Sequence, residues 1–421
     1  ERWRDHGQAI LEQEAARQFY DDGTYSMHAL NYQRSVLQTY LFALRLGEVN
    51  NRRFSDTVYQ RVARSAEFLF QLVDPKTGFV PAYGSNDGSL LLPLNDCDFN
   101  DFRPALQLAL YLTRRTRLFP SGCWDEDIAW FYGDTPFQTA APPEQASASF
   151  PVGGYYVLRD QQSYTLIHCA HYQDRPNHSD QLHVDVWWRG VNVACDAGTY
   201  HYHAPAPWDN GLALASVHNT VMVDEREPMT RLSRFTWVDW AQGQGQRRRT
   251  ENKVEIWEGF HRGYAPIIHR RSVARLGDDT WLIVDRLAGT SLHRYRLHWL
   301  LSSYPYELDG KTIQLQTPAG AYACTVASDS ADATLSVMQG DEQSTRGWRS
   351  RYYGQREPAL SAALVAQAAS VTFYTLFAPP TRSLSMIDGL QVESARWSAA
   401  IDLGTEPLIQ KVRFTSREAM Q

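Results

Sequence analysis

The chain changes its hydrophobic periodicity once, and this change limits the folds that are open to it. In the first third of the sequence, apolar residues recur at helical spacing, as in residues 36–44 and 58–70. Turn-forming residues at 74–78 separate two such segments. We therefore predict antiparallel helix pairs over residues 1–134.

The sequence after residue 134 has a different pattern. Residues 135–149 are rich in Ala, Pro, Ser and Gln, which is typical of a linker. Short segments with alternating polarity follow, at residues 154–158, 164–168, 220–224, 253–257, 270–275, 280–285, 295–301, 312–316, 371–376 and 399–403. Many strands without intervening helices indicate stacked antiparallel sheets. We predict an α+β multidomain protein in which an antiparallel β-sandwich occupies residues 150–421.

The clearest strand pair includes a loop crowded with polar residues. Residues 182–188 alternate between apolar and other side chains, and residues 189–192 form a plausible hairpin turn. Successive side chains of a strand point to opposite faces. The two strands are therefore expected to present His183, Asp185 and Asp196 together.

Composition excludes several classes of protein. A net charge of -6 argues against a nucleic-acid binder, and no stretch is apolar enough to span a membrane. The chain has an aromatic content of 12%, which suits both sugar-binding grooves and large β-rich folds. The odd number of cysteines has no paired short spacing, so we interpret them all as buried thiols: Cys97, Cys123, Cys169, Cys195 and Cys324.

Three potential metal ligands stand where strands meet loops: His178, Asp196 and His218. Two imidazoles and a carboxylate suit Zn²⁺ when a water completes the tetrahedron. The alternative is that His218 is a core histidine and that Asp196 caps the following turn. His183 and Asp185 are candidates for a pair that orients a ligand imidazole.

Tyr32 is the second candidate functional residue, because it lies near the start of a helix that follows a turn. A tyrosine at this position either packs or, beside an imidazole or arginine in a cleft, moves protons. Residues 81–89 form a polar loop that is either a cleft wall or an ordinary surface loop.

Several blocks of the sequence resemble the heparinase II/III-like polysaccharide lyases. Residues 22–34 are similar to the family's helix with the catalytic tyrosine, and residues 175–200 and 218–221 match two further blocks. Residues 84–88 and 207–211 are similar to a subgroup associated with bacterial exopolysaccharide loci. The resemblance covers nearly the whole chain.

This resemblance implies an incomplete (α/α) toroid of helix pairs joined to a β-sandwich, with the substrate cleft between them. It implies β-elimination at a uronic acid of an acidic polysaccharide, with Tyr32 as the proton-transfer residue. It also implies a Zn²⁺ site at His178, Asp196 and His218. We assign substrate contacts to Asn31, Arg34, Asn86, Asp87, Asn177, Tyr200 and Trp208.

The sequence departs from the family at a substrate-binding histidine, whose place is taken by Pro176. Arg175, Asn177 or His183 is expected to replace it, and we take Arg175 and His183 as catalytic candidates. The Asn-His pair that neutralises the uronate in the family is expected upstream of the tyrosine helix, ahead of Glu1. The chain opens without Met, so any leader segment is also expected ahead of Glu1.

Two other functions remain compatible with the sequence. Asp21, Asp22, Asp96 and Asp98 could supply the two carboxylates of a glycoside hydrolase on the same scaffold. Loss of the family's substrate histidine favours a non-catalytic polysaccharide-binding or assembly protein. The odd number of thiols favours a reducing compartment, whereas a polysaccharide substrate favours the periplasm or the exterior. The sequence does not indicate the oligomeric state.

Overall fold

A computed structural model describes the chain at residues 2–133, 143–250, 252, 254–387 and 389–416. The first part is helical, with α-helices at Arg2–Gln18 (α1), Leu30–Val49 (α2), Asp56–Leu72 (α3), Arg103–Arg114 (α4) and Glu126–Tyr132 (α5). Short 3₁₀ helices occur at Cys123–Asp125, Gly211–Ala213 and Ala215–Val217. The helical segments expected from periodicity therefore fall within helices of the structure.

The helices bury the apolar faces that their spacing indicated. The stripe of α2 packs in one core with the stripe of α3, through Leu37, Leu41, Leu44, Val58, Val62, Ala66 and Leu69. Pro104 lies in the first turn of α4, where its missing N–H costs nothing. Arg115 ends α4 in the left-handed conformation, with φ 57°.

The rest of the chain forms strands. They lie at Ala148–Phe150 (β1), Tyr155–Arg159 (β2), Ser163–His168 (β3), Val184–Trp188 (β4), Val191–Ala194 (β5), Val221–Val223 (β6), Thr230–Ser233 (β7), Thr236–Val238 (β8), Gly243–Arg249 (β9), Glu255–Tyr264 (β10), Ile267–Gly277 (β11), Thr280–Leu301 (β12), Tyr306–Asp309 (β13), Thr312–Thr317 (β14), Gly320–Ser328 (β15), Thr334–Gln339 (β16), Trp348–Tyr352 (β17), Gln355–Pro358 (β18), Leu360–Ala378 (β19), Ser383–Ser385 (β20), Leu390–Glu393 (β21), Trp397–Leu403 (β22) and Ile409–Ser416 (β23). The expected change from helices to strands is confirmed.

Most strands belong to one 15-stranded sheet whose main path is β1-β2-β3-β4-β5-β12-β19-β15-β14-β13. Strands β20 to β23 form a four-stranded sheet, and β7–β8 and β17–β18 are separate hairpins. The strand pairs of the described residues run antiparallel, from β1–β2 at one edge to β13–β14 at the other. The two strands expected at residues 280–285 and 295–301 are parts of one long strand, β12, whose register shifts between Ala288 and His293.

Strand β4 joins the helical part to the sheet. Its neighbour Leu182 and its residues Val184, Val186 and Trp188 lie in the core of the strands, as the alternation indicated. Trp187 points to the other face and packs with the helices, where its ring stacks on Tyr164 at 5.8 Å between centroids. The second face is therefore also buried.

Two expectations about the connections and the thiols need comment. Residues 135–142 of the expected linker lie outside the described residues, and Ala148 and Ser149 already belong to strand β1. The interpretation of all five cysteines as buried thiols was wrong, because Cys123 is exposed and Cys97 is partly exposed. None of the helices in the described ranges combines the length and apolar composition needed to cross a bilayer.

Candidate functional site

The structure brings the three expected metal ligands together in a fully buried cluster. Nδ1 of His178 lies 3.1 Å from Nε2 of His218. Oδ2 of Asp196 lies 3.2 Å from Nε2 of His218 and 4.0 Å from Nδ1 of His178. The edge of a tetrahedral zinc site with nitrogen and oxygen ligands is about 3.4 Å. The three atoms are thus spaced as ligands of one ion would be.

Backbone contacts hold these side chains in place. His218 follows the 3₁₀ helix Ala215–Val217, and its Nδ1 lies 2.7 Å from the carbonyl oxygen of Leu214, so Nε2 faces the cluster. Asp196 follows strand β5, and its backbone N–H donates to Oδ2 of Asp185 at 3.1 Å. The local fold therefore sets which imidazole nitrogen is available as a ligand.

Asp180 is a fourth member of the cluster that sequence reasoning missed. One ligand atom from each of His178, Asp180, Asp196 and His218 lies within 4.8 Å of the others. The Tyr83 hydroxyl donates to Oδ1 of Asp180 at 3.2 Å. Asp180 stands two residues after His178 in the same polar loop, which was the available signal.

The electrostatics of the cluster differ between its members. Burial disfavours a charge on His218, but the Asp196 carboxylate outweighs it and raises the pKa of this imidazole to about 9, so His218 would lose a proton on binding a cation. Burial lowers the pKa of His178 to about 4, so its imidazole is neutral and can act as a ligand. Burial also opposes the charge on Asp196, but the three neighbouring imidazoles outweigh it and lower the pKa of that carboxyl. The Oδ2 atoms of Asp180 and Asp196 are buried and accept no hydrogen bond. A cation would satisfy both oxygens.

A buried ion pair supports the two segments that carry the cluster. The guanidinium of Arg271 donates to both carboxylate oxygens of Asp285, from Nε at 2.7 Å and from Nη2 at 2.9 Å. Its Nη1 donates to the carbonyl oxygens of Leu182 and Asn219 at 2.7 and 2.6 Å. Leu182 precedes His183 and Asn219 follows His218, so Arg271 ties together the two backbone segments that carry these histidines.

Tyr32 makes its closest polar contact with another tyrosine. Its hydroxyl oxygen lies 2.6 Å from that of Tyr202. Tyr32 is on the first turn of α2, and Tyr202 is in the loop after β5. The Tyr202 ring packs against Phe235 and Tyr353 at 5.0 and 5.2 Å between centroids. Sequence reasoning missed Tyr202, although it lies two residues beyond a block that resembled the family.

Opposite charges act on this tyrosine pair. Burial raises the pKa of Tyr32 to about 12, the Asp87 carboxylate adds to this rise, and the positive charge of Arg175 opposes it. Burial and the Tyr32 hydroxyl raise the pKa of Tyr202 as well. Arg175 is exposed and donates from Nη1 to the carbonyl oxygen of Phe235 at 2.7 Å. An anionic and a cationic side chain therefore border the pair.

Two residues predicted to contact substrate are buried beside Tyr32. Arg34 is 1% exposed, and its guanidinium lies between the rings of Phe99 and Phe102 at 4.6 and 4.3 Å. It donates to Oδ1 of Asn31 at 2.6 Å. Nδ2 of Asn31 donates to the carbonyl oxygen of Ser89 at 3.3 Å. In this structure both side chains bind backbone carbonyl groups of the segment 89–99 rather than face solvent.

The candidates to replace the family histidine lie in different environments. His183 is fully buried, with Nε2 3.8 Å from Oδ2 of Asp196, so it lies beside the buried His/Asp cluster. Asn177 is 7% exposed, accepts a hydrogen bond from Ser85 and donates to the Met27 carbonyl at 3.1 Å. Arg175 is the exposed member of the three.

The remaining predicted substrate contacts lie in two groups, one in the loop of residues 81–89 and one around Arg356. Asp87 is exposed, and Asn86 is partly exposed and donates from its backbone to Oγ1 of Thr199 at 3.1 Å. Tyr200 and Trp208 pack on the guanidinium of Arg356, at 5.4 and 4.1 Å from their ring centroids. Trp348 contributes a third ring at 4.2 Å. The three rings therefore surround the guanidinium of Arg356, a residue that sequence reasoning missed.

Sequence comparison assigns the chain to a family. The profile described as Heparinase II/III-like, C-terminal matches residues 142–386, which is more than half of the chain. The profile described as Heparinase II/III N-terminus matches residues 1–96. The fold of helices followed by antiparallel sheets agrees with both. The chain belongs to the heparinase II/III-like family.

Several characterised proteins are similar to this chain. A heparin-sulfate lyase of Bacteroides stercoris is 22% identical over 320 residues, which cover 70% of this chain and 41% of that protein. A heparinase III gene product superposes with a TM-score of 0.74 at 16% identity, over 99% of this chain and 62% of that one. For a heparan sulfate lyase structure from Pedobacter heparinus the TM-score is 0.68 at 17% identity, over 99% and 62%. The chain thus spans about two fifths of the curated relative's length and shares the fold of these structures.

Proposed function

We propose that this chain is a polysaccharide lyase that cleaves a uronic-acid-containing polysaccharide by β-elimination. The observation that carries the proposal is the 2.6 Å contact between the hydroxyls of Tyr32 and Tyr202. β-Elimination removes a proton from C5, neutralises the C5 carboxylate and protonates the departing O4. Two hydrogen-bonded phenols supply a donor and an acceptor side by side.

The proton path is a relay through both phenols. The C5 proton passes to the oxygen of Tyr202, the proton of Tyr202 passes to Tyr32, and the proton of Tyr32 passes to O4. The C5–H and C4–O4 bonds break and a C4–C5 double bond forms. Each phenol starts and ends with one proton. The raised pKa of Tyr32 suits its role as the proton donor to O4, because this phenol is protonated before substrate binds.

Arg175 is the residue that we assign to the uronate carboxylate. It is exposed, and its charge acts on the hydroxyl of Tyr32. A guanidinium paired with the uronate would stabilise the negative charge that builds up on the carboxylate as the C5 proton leaves. Asn177 and His183 act instead as positioning residues, because their polar atoms face the protein interior.

Substrate binding is assigned to surfaces on both sides of the tyrosine pair. Asn86 and Asp87 supply polar groups from the loop of residues 81–89, which we interpret as a cleft wall. Tyr200 and Trp208 supply flat rings for the apolar faces of sugars, and the Arg356 guanidinium beside them supplies a positive charge for an acidic substituent. An acidic polysaccharide, such as a bacterial exopolysaccharide, matches this combination.

We assign a Zn²⁺ site to His178, Asp196 and His218, with Asp180 as an additional oxygen donor. The neutral imidazole of His178 and the two unpartnered carboxylate oxygens fit a divalent cation. A bound Zn²⁺ would cross-link the loop before β4, the end of β5 and the loop before β6. Its role is structural, because the ligands are fully buried.

The architecture completes the proposal. We assign residues 1–134 to a portion of an (α/α) toroid, residues 135–149 to a linker and residues 150–421 to a β-sandwich. The gap between the two profile matches, at residues 97–141, includes the first part of this linker. The candidate cleft then lies where the helical part meets the strands, at Tyr32 and Tyr202.

Product analysis tests this function. The chain is incubated with a panel of acidic polysaccharides, and new reducing ends are measured together with the ultraviolet absorbance of unsaturated uronate. A lyase produces both signals in parallel. Reducing ends without the absorbance would indicate a glycoside hydrolase. Tight binding with neither signal would indicate a polysaccharide-binding protein.

A further inference from the structure

Two cysteine thiols of the helical part lie side by side near the surface. Sγ of Cys97 lies 3.3 Å from Sγ of Cys123, although 26 positions separate the residues in the chain. Cys123 is exposed and Cys97 is partly exposed. The other cysteines, Cys169, Cys195 and Cys324, are buried. Cys97 and Cys123 are therefore the two cysteines that solvent reaches.

The segment that carries Cys97 is held on both sides of the thiol. Before it, Nδ2 of Asn95 donates to Oδ1 of Asp127 in α5 at 2.6 Å. After it, the Phe99 ring packs edge-on against Tyr352 at 4.8 Å between centroids. Cys123 begins the 3₁₀ helix Cys123–Asp125 directly before α5. Both thiols are thus attached to the same packed region, which keeps them close.

We propose that Cys97 and Cys123 are a disulfide-forming pair, joined when the protein meets a disulfide oxidant such as oxidised glutathione or a thiol oxidoreductase. A sulfur–sulfur bond requires the two Sγ atoms to approach to about 2.0 Å. From their present contact this needs a small side-chain movement. The bond would link the connection between α3 and α4 to the 3₁₀ helix that precedes α5.

The chemistry proceeds by two exchanges. The thiolate of Cys123 attacks the oxidant disulfide, forms a mixed disulfide and releases the first thiol of the oxidant. Cys97 then loses its proton and attacks the sulfur of Cys123, which releases the second thiol. The protein loses two protons and two electrons, and the oxidant accepts the two electrons. Burial raises the pKa of Cys97 to about 12, so the exposed Cys123 is the thiol that reacts first.

The bond would act on the segment that supports the candidate cleft. Phe99 lies between the thiol pair and α2, and its ring and carbonyl oxygen both contact the guanidinium of Arg34. Closing the disulfide restricts this segment in the unfolded chain and strengthens its attachment to α5 in the folded protein. The proposal does not depend on the lyase activity, and its test does not measure activity.

The experiment compares the reduced chain with the chain incubated in oxidised glutathione. Free thiols are alkylated, and the protein is digested without reduction and analysed by mass spectrometry. We expect a peptide that links Cys97 to Cys123, with the three buried thiols alkylated only in denaturant. The oxidised chain is expected to melt on the order of 5 °C higher than the reduced chain.

The variant Cys97→Ser is the control, because it removes the pair but leaves Cys123 exposed. In oxidised buffer the variant is expected to carry glutathione on Cys123. Apart from any small shift caused by this adduct, its melting temperature is expected to be the same in reduced and oxidised buffers. A wild-type chain in which both thiols remain free after oxidation would overturn the proposal. A stable glutathione adduct on wild-type Cys123 without a linking peptide would also overturn it.

Discussion

The hydroxyl oxygen of Tyr32 lies 2.6 Å from that of Tyr202, and 170 positions separate the two residues in the chain. Tyr32 comes from helix α2 and Tyr202 from the loop after strand β5. The contact therefore forms only when the helical part and the strands are packed together. The proposed proton transfer thus depends on the packing of the helical part against the strands.

Replacing Tyr202 by Phe is expected to lower kcat by about 100-fold or more, with a small change in KM. The substitution keeps the ring contacts with Phe235 and Tyr353 but removes the hydroxyl from the relay. Steady-state kinetics on the responsive polysaccharide measure the effect. Tyr59→Phe on helix α3 is the matched control and is expected to keep full activity. If Tyr202→Phe keeps the wild-type kcat, Tyr202 has no part in the reaction.

The pH dependence of the rate follows from the pKa of Tyr32, which burial raises to about 12. A proton donor loses function as the pH rises through its pKa, so a raised pKa extends activity to higher pH. We expect no fall in kcat/KM from deprotonation of Tyr32 between about pH 7 and pH 10. Circular dichroism over the same range separates unfolding from titration. The expectation that Tyr32 stays protonated would be contradicted if the folded wild-type chain lost activity near pH 8 and the residual activity of Tyr32→Phe did not.

Metal analysis tests the buried cluster. The purified chain is expected to contain about one Zn²⁺ per molecule, and Asp196→Asn and His218→Ala are expected to lose it. Removing the ion with a chelator should lower the melting temperature. A ligand present at a thousand times its Kd contributes about 4 kcal/mol to the stability of the folded state. His293→Ala alters a histidine paired with Asp224 at the surface and serves as the control. Equal metal content in all four proteins would rule out this site.

The buried ion pair of Arg271 and Asp285 is expected to contribute to stability. Arg271→Met removes the guanidinium from the buried Asp285 carboxylate and leaves the His269 imidazole as its ionisable partner. Breaking a buried ion pair typically costs about 3–5 kcal/mol of unfolding free energy. Denaturant unfolding followed by circular dichroism measures the change. Arg413→Met breaks an exposed pair with Asp402 and is expected to have little effect. Similar losses of unfolding free energy in the two variants would show that the buried pair contributes no more to stability than an exposed pair.

Periodicity in the sequence was sufficient to predict the helices and many strands, because local alternation reflects which face is buried. It divided β12 into two strands, since the pairing with β19 that joins them involves residues far away in sequence. The buried cluster of His178, Asp196 and His218 was expected from residue types and the family resemblance together. Tyr202 was missed because its partner, Tyr32, lies far away in the chain and no local pattern connects them.

Burial of polar residues was also difficult to predict from sequence. Arg34 was expected to contact substrate, but the aromatic rings of Phe99 and Phe102 enclose its guanidinium. The contact between Cys97 and Cys123 likewise depends on tertiary packing. Such features follow from which segments meet, and local composition carries no signal for them.

The most direct test of the account is the absorbance of unsaturated uronate for the wild-type chain and for Tyr32→Phe on the same acidic polysaccharide. We predict a steady rise for the wild type and a rise about 100-fold slower or more for Tyr32→Phe, while the variant still binds the polysaccharide. Equal rates for the two proteins would contradict the proposed role of the tyrosine pair. Chain cleavage by the wild type without any rise in absorbance would contradict β-elimination itself.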